Sequence, residues 1–357
     1  MDRPARAAHP APFASSKPMF PFEVTVTAIR PLARGVLGLR LAAPGLPAFE
    51  AGAHVDLQLA GGRWARSYSL TNPLEAAAPG NGPPAYKVAV GLAPDSRGGS
   101  SWVHASLREG MRLPMSAPRN HFRLDDSARP VLLVSGGIGI TPLWAMAQVC
   151  ERQGRPWRMV AAARTRAAAS FADELAALDG GRGRVRWHVD DEDGGHLDID
   201  ALRGQIEPDS ALYCCGPAGL MRAVEQRLAN AGATLHFEWF AAAAPAQPAA
   251  AVTDAHTTQA SAAQQPGADA PFDLVLSRSG QRLSVPPGRS ILQVMEDAGH
   301  VIASVCQEGV CGTCETTVLQ GDIDHRCQVL TDSERAEGRT MMVCVSRARS
   351  AKLVLDA

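Results

Sequence analysis

Cys306, Cys311 and Cys314 stand as C-x4-C-x2-C in the run Ser304-Val305-Cys306-Gln307-Glu308-Gly309-Val310-Cys311-Gly312-Thr313-Cys314, and Cys344 follows after 29 intervening residues. No other feature constrains the chain as strongly. Three thiolates from one loop and a fourth from a returning segment are what a plant-type 2Fe-2S cluster requires. Gly309 and Gly312 fall among the ligands, where the backbone must curl tightly and aim N–H groups at sulfur. Structural zinc also accepts four cysteines, but its sites usually pair two short C-x2-C hooks, which this spacing lacks. Five of the eight cysteines crowd the last 52 residues. In a cytosolic chain such crowding suggests metal ligation more than a disulfide framework. Cys327 and Cys150 lie outside the spacing and read as thiols with no ligand role.

At 357 residues the chain exceeds the roughly 100 to 200 residues of one domain, so several compact units are expected. Residues 1–20 are rich in Pro, Ala and Ser without an apolar h-region and predict a disordered start. Over 21–125, short alternating runs such as Val55-Asp56-Leu57-Gln58-Leu59 and Lys87-Val88-Ala89-Val90 sit between Gly and Pro turns, the signature of an antiparallel barrel or sandwich. Over 126–240 the pattern changes to apolar runs (131–134, 159–163, 185–189, 211–214) alternating with helical stretches, which predicts buried parallel strands with covering helices. The 241–271 segment has scarcely any large apolar side chain and predicts a flexible linker. Residues 272–357 read as a small α+β domain with a helical stretch from Ser290 to Ala298.

A formal net charge of -1 supplies no field for nucleic acid or an anionic membrane. No run approaches the roughly 18 apolar residues of a membrane span. A cytoplasmic protein that binds neither nucleic acid nor membrane, acting as a monomer, is the expectation.

The strand 131–134 runs into Ser135-Gly136-Gly137-Ile138-Gly139-Ile140-Thr141-Pro142 and then a helical pattern. Such a turn lets backbone N–H groups approach a pyrophosphate at the positive helix end, although many α/β folds carry one for chain geometry alone. A second turn, Cys214-Cys215-Gly216-Pro217-Ala218-Gly219, ends a later strand, and ligands bind at that edge of an open sheet. Cys215 reads either as facing a nicotinamide ring or as a small buried residue closing the strand. Arg164 falls where an adenosine ribose would lie, or is an ordinary surface arginine. Earlier in the chain, Arg66-Ser67-Tyr68-Ser69-Leu70 reads as an edge strand offering a cation, an aromatic ring and hydroxyls to a flavin. Arg97-Gly98-Gly99-Ser100-Ser101 precedes a helical stretch and suits a phosphate.

With these motifs in this order, the chain resembles the ferredoxin-NADP reductase superfamily and, within it, the phthalate dioxygenase reductase family, which includes the vanillate demethylase reductases. The resemblance covers about residues 20–240 and 272–357. It rests on R-S-Y-S-L at 66–70, R-G-G-S at 97–100, G-G-I-G-I-T-P at 136–142, C-G-P at 215–217 and the four cysteines. It implies three units: an antiparallel β-barrel flavin domain, an α/β Rossmann-like NAD domain, and an α+β β-grasp 2Fe-2S ferredoxin domain. It further implies FMN held by Arg66, Tyr68, Ser69, Gly99 and Ser100, with Pro118-Arg119-Asn120-His121-Phe122 similar to the FMN type rather than the FAD type. NADH would meet the turn of Gly136, Gly137, Gly139 and Thr141, with Arg164 near the ribose. Glu238-Trp239-Phe240 is similar to the Glu-x-Phe segment that brings Phe240 close to the flavin. Ser69, Thr141 and Cys215 are the candidate catalytic positions, and Cys306, Cys311, Cys314 and Cys344 the iron ligands.

The implied reaction carries a hydride from NADH onto the flavin and single electrons through the cluster to a Rieske-type oxygenase. No general acid, base or nucleophile is needed. Acids such as Asp322 and Asp324 would steer that partner, unless they form only a solvated face. The alternatives are an FAD-containing reductase of another oxygenase or hydroxylase system, and a non-enzymatic iron-sulfur protein. The linker, longer than the family's, leaves a fixed docking of the ferredoxin domain in doubt.

Overall fold

The computed structural model describes residues 19–73, 84–94, 96–241 and 269–357. The disordered start expected over 1–20 and the linker expected over 241–271 fall almost wholly outside the described residues.

The first unit is a six-stranded antiparallel sheet in the order Trp64–Ser69, His54–Leu59, Arg112–Met115, Phe22–Ala33, Val36–Ala42, Tyr86–Gly91. A bridge between Leu70 and Val88 joins the two ends. The strand carrying Arg66 is therefore terminal in the pairing order, yet the sheet rolls into a barrel. Its alternating side chains converge on one core of Val24, Val26, Leu39, Leu41, Val55, Leu57, Leu59, Tyr86 and Met115, as a period of two demands.

The second unit is a five-stranded parallel sheet, in the order Thr234–Glu238, Ala211–Cys215, Val131–Gly136, Trp157–Ala163, Val185–Val189. Helix Ile140–Gln153 packs on one face and helix Ala218–Leu228 on the other. Both faces are covered, so the central strands Val131–Gly136 and Ala211–Cys215 are buried along their whole length, while the edge strands carry polar residues such as Arg186 and Glu238. One core cluster also takes in Val36, Ala51, Ala89 and Phe122 of the barrel, so barrel and sheet share apolar packing.

The third unit is a mixed five-stranded sheet, ordered Arg282–Val285, Phe272–Leu276, Lys352–Leu355, Glu315–Gln320, Thr340–Met342. Its helix Ile291–Asp297 starts where expected. Ser290 accepts from the Gln293 N–H, and the Gln293 side chain accepts from the Ser290 N–H, a capping box that fixes the N-terminus. Ile291, Leu292, Val294 and Met295 bury against the sheet, and Cys314, Cys327 and Cys344 belong to the same core. Among the described residues, no helix is long and apolar enough to cross a membrane.

Candidate functional site

All three units meet at one cleft. The barrel lends Arg66, Ser67, Tyr68, Ser69 and His54, and the parallel sheet lends Ile138, Thr141, Glu238, Trp239 and Phe240. The cluster loop lends Cys306, Glu308, Val310 and Cys311.

Strand pairing places the barrel's contribution. Residues 64–69 run antiparallel to 54–59, with His54 opposite Ser69 and Asp56 opposite Ser67. The buried Ser69 hydroxyl and both ring nitrogens of buried His54 have no hydrogen-bond partner. Burial, with Arg119 beside it, holds His54 down to about 4, so the ring is neutral. Tyr68 is half-buried, and burial raises its phenol above its ordinary range. Arg66 lies against Gly99, the first residue of helix Gly99–Ser106, and donates to the Arg97 carbonyl at 3.4 Å. A cation beside a helix start suits a phosphate. Unpaired buried polar atoms suit the polar edge of a heteroaromatic ring, so these residues fit a flavin. Ser100 is committed within its own loop, donating to Ser96 at 2.9 Å and accepting from the Ala93 N–H at 3.2 Å.

At the sheet edge the two glycine turns interlock. A Cβ at Gly139 would lie 2.3 Å from the Cys215 carbonyl oxygen, so only glycine lets the turns close on each other. Cys215 is therefore fully buried behind Gly139, outside the cleft lining, and burial drives its thiol far above the ordinary range. Of the two readings of Cys215, this placement matches the buried residue closing its strand. Thr141 lines the cleft, while its hydroxyl donates to the Ile138 carbonyl at 3.0 Å and pins the turn. Phe240 lines the cleft and is 41% exposed. Glu238, paired in register with Cys215, carries a buried carboxyl oxygen without a partner, and burial pushes this acid up to about 8. Arg164 is exposed and lies outside the cleft lining. Its neighbour Arg166 is paired with Glu192.

The thiols lie as two neighbouring pairs: Cys311 beside Cys306 holds that thiol down to about 6, and Cys344 beside Cys314 lowers it. Two irons, each taking two thiolates, would use such pairs. Gln307, Gly309 and Gly312 have left-handed backbone, which curls the loop so that its N–H groups face sulfur. The Glu308 N–H donates to Cys306 at 3.3 Å, and those of Val310 and Cys311 add to it. Such donors stabilise negative sulfur. Cys327 and Cys150 are buried, and neither joins the two pairs.

The loop also sits directly on the barrel. Arg97 and Glu308 form an ion pair at 2.6 Å, Arg119 donates to Thr313 at 3.0 Å, and Thr313 donates to Asp56 at 3.2 Å. Asp56, His54, Thr313 and Glu308 carried no distinguishing signal in the sequence. They matter because two distant segments meet.

An oxidoreductase NAD-binding domain matches residues 133–226, and a 2Fe-2S iron-sulfur cluster binding domain matches residues 274–349. The phenoxybenzoate dioxygenase subunit beta of Ectopseudomonas oleovorans is 40% identical over 95% of this chain and 98% of its own. The phthalate dioxygenase reductase of Burkholderia cepacia is 37% identical over 87% of this chain and 88% of its own. A solved structure of phthalate dioxygenase reductase, described as a modular structure for electron transfer from pyridine nucleotides to a 2Fe-2S centre, superposes with a TM-score of 0.62 at 35% identity. It covers 94% of this chain and 98% of that one. A barrel, an NAD-binding sheet and a 2Fe-2S domain meeting at one cleft, with full-length similarity at this level, show that the chain belongs to the phthalate dioxygenase reductase family of oxidoreductases.

Proposed function

We propose that this chain takes a hydride from NADH at the cleft onto FMN and passes electrons singly through its 2Fe-2S cluster to a Rieske-type oxygenase. When bound, the flavin accepts the electron pair and the cluster takes one electron at a time. The chain's own residues position and shield these groups. Arg66 and the Gly99 end of its helix hold the phosphate, with Ser100 stiffening the loop behind them, while Tyr68 and Ser69 face the ring. Gly136, Gly137 and Gly139 keep the nucleotide turn tight, Thr141 pins it, and Phe240 covers the cleft until nicotinamide displaces it. Arg164 stands toward the ribose, and Cys215 supports the turn from behind. Cys306 with Cys311, and Cys314 with Cys344, hold the two irons.

Residues 21–125, 126–240 and 272–357 serve as the flavin, NAD and ferredoxin domains. The similarity of residues 118–122 to the FMN type supports FMN over FAD, and Arg119 and His121 of that segment also meet the cluster loop. The cytoplasm is the compartment that suits the reading, since it keeps thiols reduced.

One observation carries this reading: residues of all three units, Cys306 and Cys311 included, line a single cleft. Oxygen-free titration of the purified chain with NADH should bleach both the flavin and the cluster bands. Colourless protein, or bleaching of the flavin alone, would refute the reading.

A further inference from the structure

A polar path crosses from the flavin strand to a ligand sulfur. Ser67, in strand Trp64–Ser69, donates to Asp56 Oδ1 at 2.6 Å. Asp56 has a fully buried side chain, and its Oδ2 accepts from Arg119 and, at 3.2 Å, from Thr313 Oγ1. Thr313 Oγ1 lies 3.1 Å from Cys311 Sγ and accepts from Arg119 at 3.0 Å. A threonine hydroxyl has one proton. With Cys311 bound to iron as a thiolate, that proton faces two anionic acceptors, a carboxylate of the barrel and a sulfur of the cluster. A proton given to sulfur stabilises the reduced cluster, and a proton turned to Asp56 does not.

We propose that Thr313 is a positioning residue that makes the potential of the cluster depend on docking. With the ferredoxin domain seated, Asp56 draws the hydroxyl proton away from Cys311. When the domain leaves the barrel, the hydroxyl turns back to the sulfur and the potential rises. The hydroxyl rotates, no bond forms or breaks, and the electron is the one the flavin supplies. The inference rests on the reading of Cys311 as an iron ligand.

The test is the midpoint potential of the cluster in the full chain, followed by EPR, for wild type, Asp56→Asn, Thr313→Val, the double variant, and Thr313→Ser with and without Asp56→Asn. Removing the Asp56 charge raises the potential in every background through space. The proposal requires an additional rise only where residue 313 has a hydroxyl. Asp56→Asn should therefore shift the reduction equilibrium about tenfold further with Thr or Ser at 313 than with Val, ~59 mV for one electron. Equal shifts in the Thr and Val backgrounds, or no shift at all, would overturn it. Loss of iron and sulfide from every variant and from wild type would instead end the underlying assignment of the cluster. In the Asp56→Asn background, where the hydroxyl turns to Cys311, Thr313→Val but not Thr313→Ser should alter the EPR anisotropy, a second reading independent of the equilibrium.

Discussion

Gly312 of the cluster loop packs on His121 of the barrel so closely that a Cβ at residue 312 would lie 2.4 Å from the ring Nε2. The loop is therefore fitted to the barrel at a position where only glycine leaves room. The same residue has a φ of 74°, a backbone that costs other residues on the order of 1 kcal/mol or more. Gly312→Ala should push the loop off the barrel. Dye reduction by NADH at the flavin should persist, while stopped-flow flavin-to-cluster transfer should slow, because the cluster then sits farther from the flavin. Adding His121→Ala removes the clash and should restore part of the rate. Unchanged transfer in Gly312→Ala would contradict this docking.

Arg66 is the cation held against the start of helix Gly99–Ser106. A hydrogen bond to a charged group contributes about 1.5–3 kcal/mol, so Arg66→Ala should weaken FMN binding by roughly tenfold to hundredfold. Quenching of flavin fluorescence on titration of flavin-free protein measures it. Retained affinity would remove Arg66 from the phosphate site.

Arg166 is held by Glu192, with Nε donating to Oε1 at 3.2 Å and a second contact to Oε2. That pairing occupies a cation that would otherwise be available to a 2'-phosphate. Glu192→Ala should raise kcat/KM for NADPH relative to NADH by about tenfold, or about 1.4 kcal/mol. An unchanged ratio would place the 2'-phosphate elsewhere.

Burial raises the Glu238 carboxyl from an ordinary 4.5 to about 8. The folded chain keeps this proton where the unfolded chain gives it up. The stability it contributes is thus full below about 4.5 and is lost as pH rises toward about 8, by up to ~1.4 kcal/mol per pH unit. Glu238→Gln has no such proton to lose. Its thermal midpoint should fall less than that of wild type between about pH 5 and pH 8. Parallel profiles would show that this carboxyl is not neutral in the fold.

The patterns legible in the sequence were local ones. The C-x4-C-x2-C spacing, the glycine turn after the strand at 131–134 and the helical stretch starting at Ser290 are each set by near neighbours in the chain, and the backbone reads them directly. Alternation marked the barrel and continuous apolar runs marked the parallel sheet, because burial on one face or on two dictates each. What required the fold was contact between segments. Asp56 and Thr313 stand 257 positions apart, and Cys215 could be assigned to the interior only once Gly139 was seen closing over its carbonyl. Ser100 was read as a phosphate donor and Thr141, through the resemblance, as a neighbour of flavin and nicotinamide; both hydroxyls are spent on their own turns.

The most direct test of the relay is Cys311→Ser, assayed with NADH against a dye that takes electrons from the flavin and against a one-electron protein acceptor such as cytochrome c. With two electrons entering at the flavin and single electrons leaving through iron, dye reduction survives at the wild-type rate and transfer to the protein acceptor is lost. Loss of both activities, or survival of both, would contradict the series.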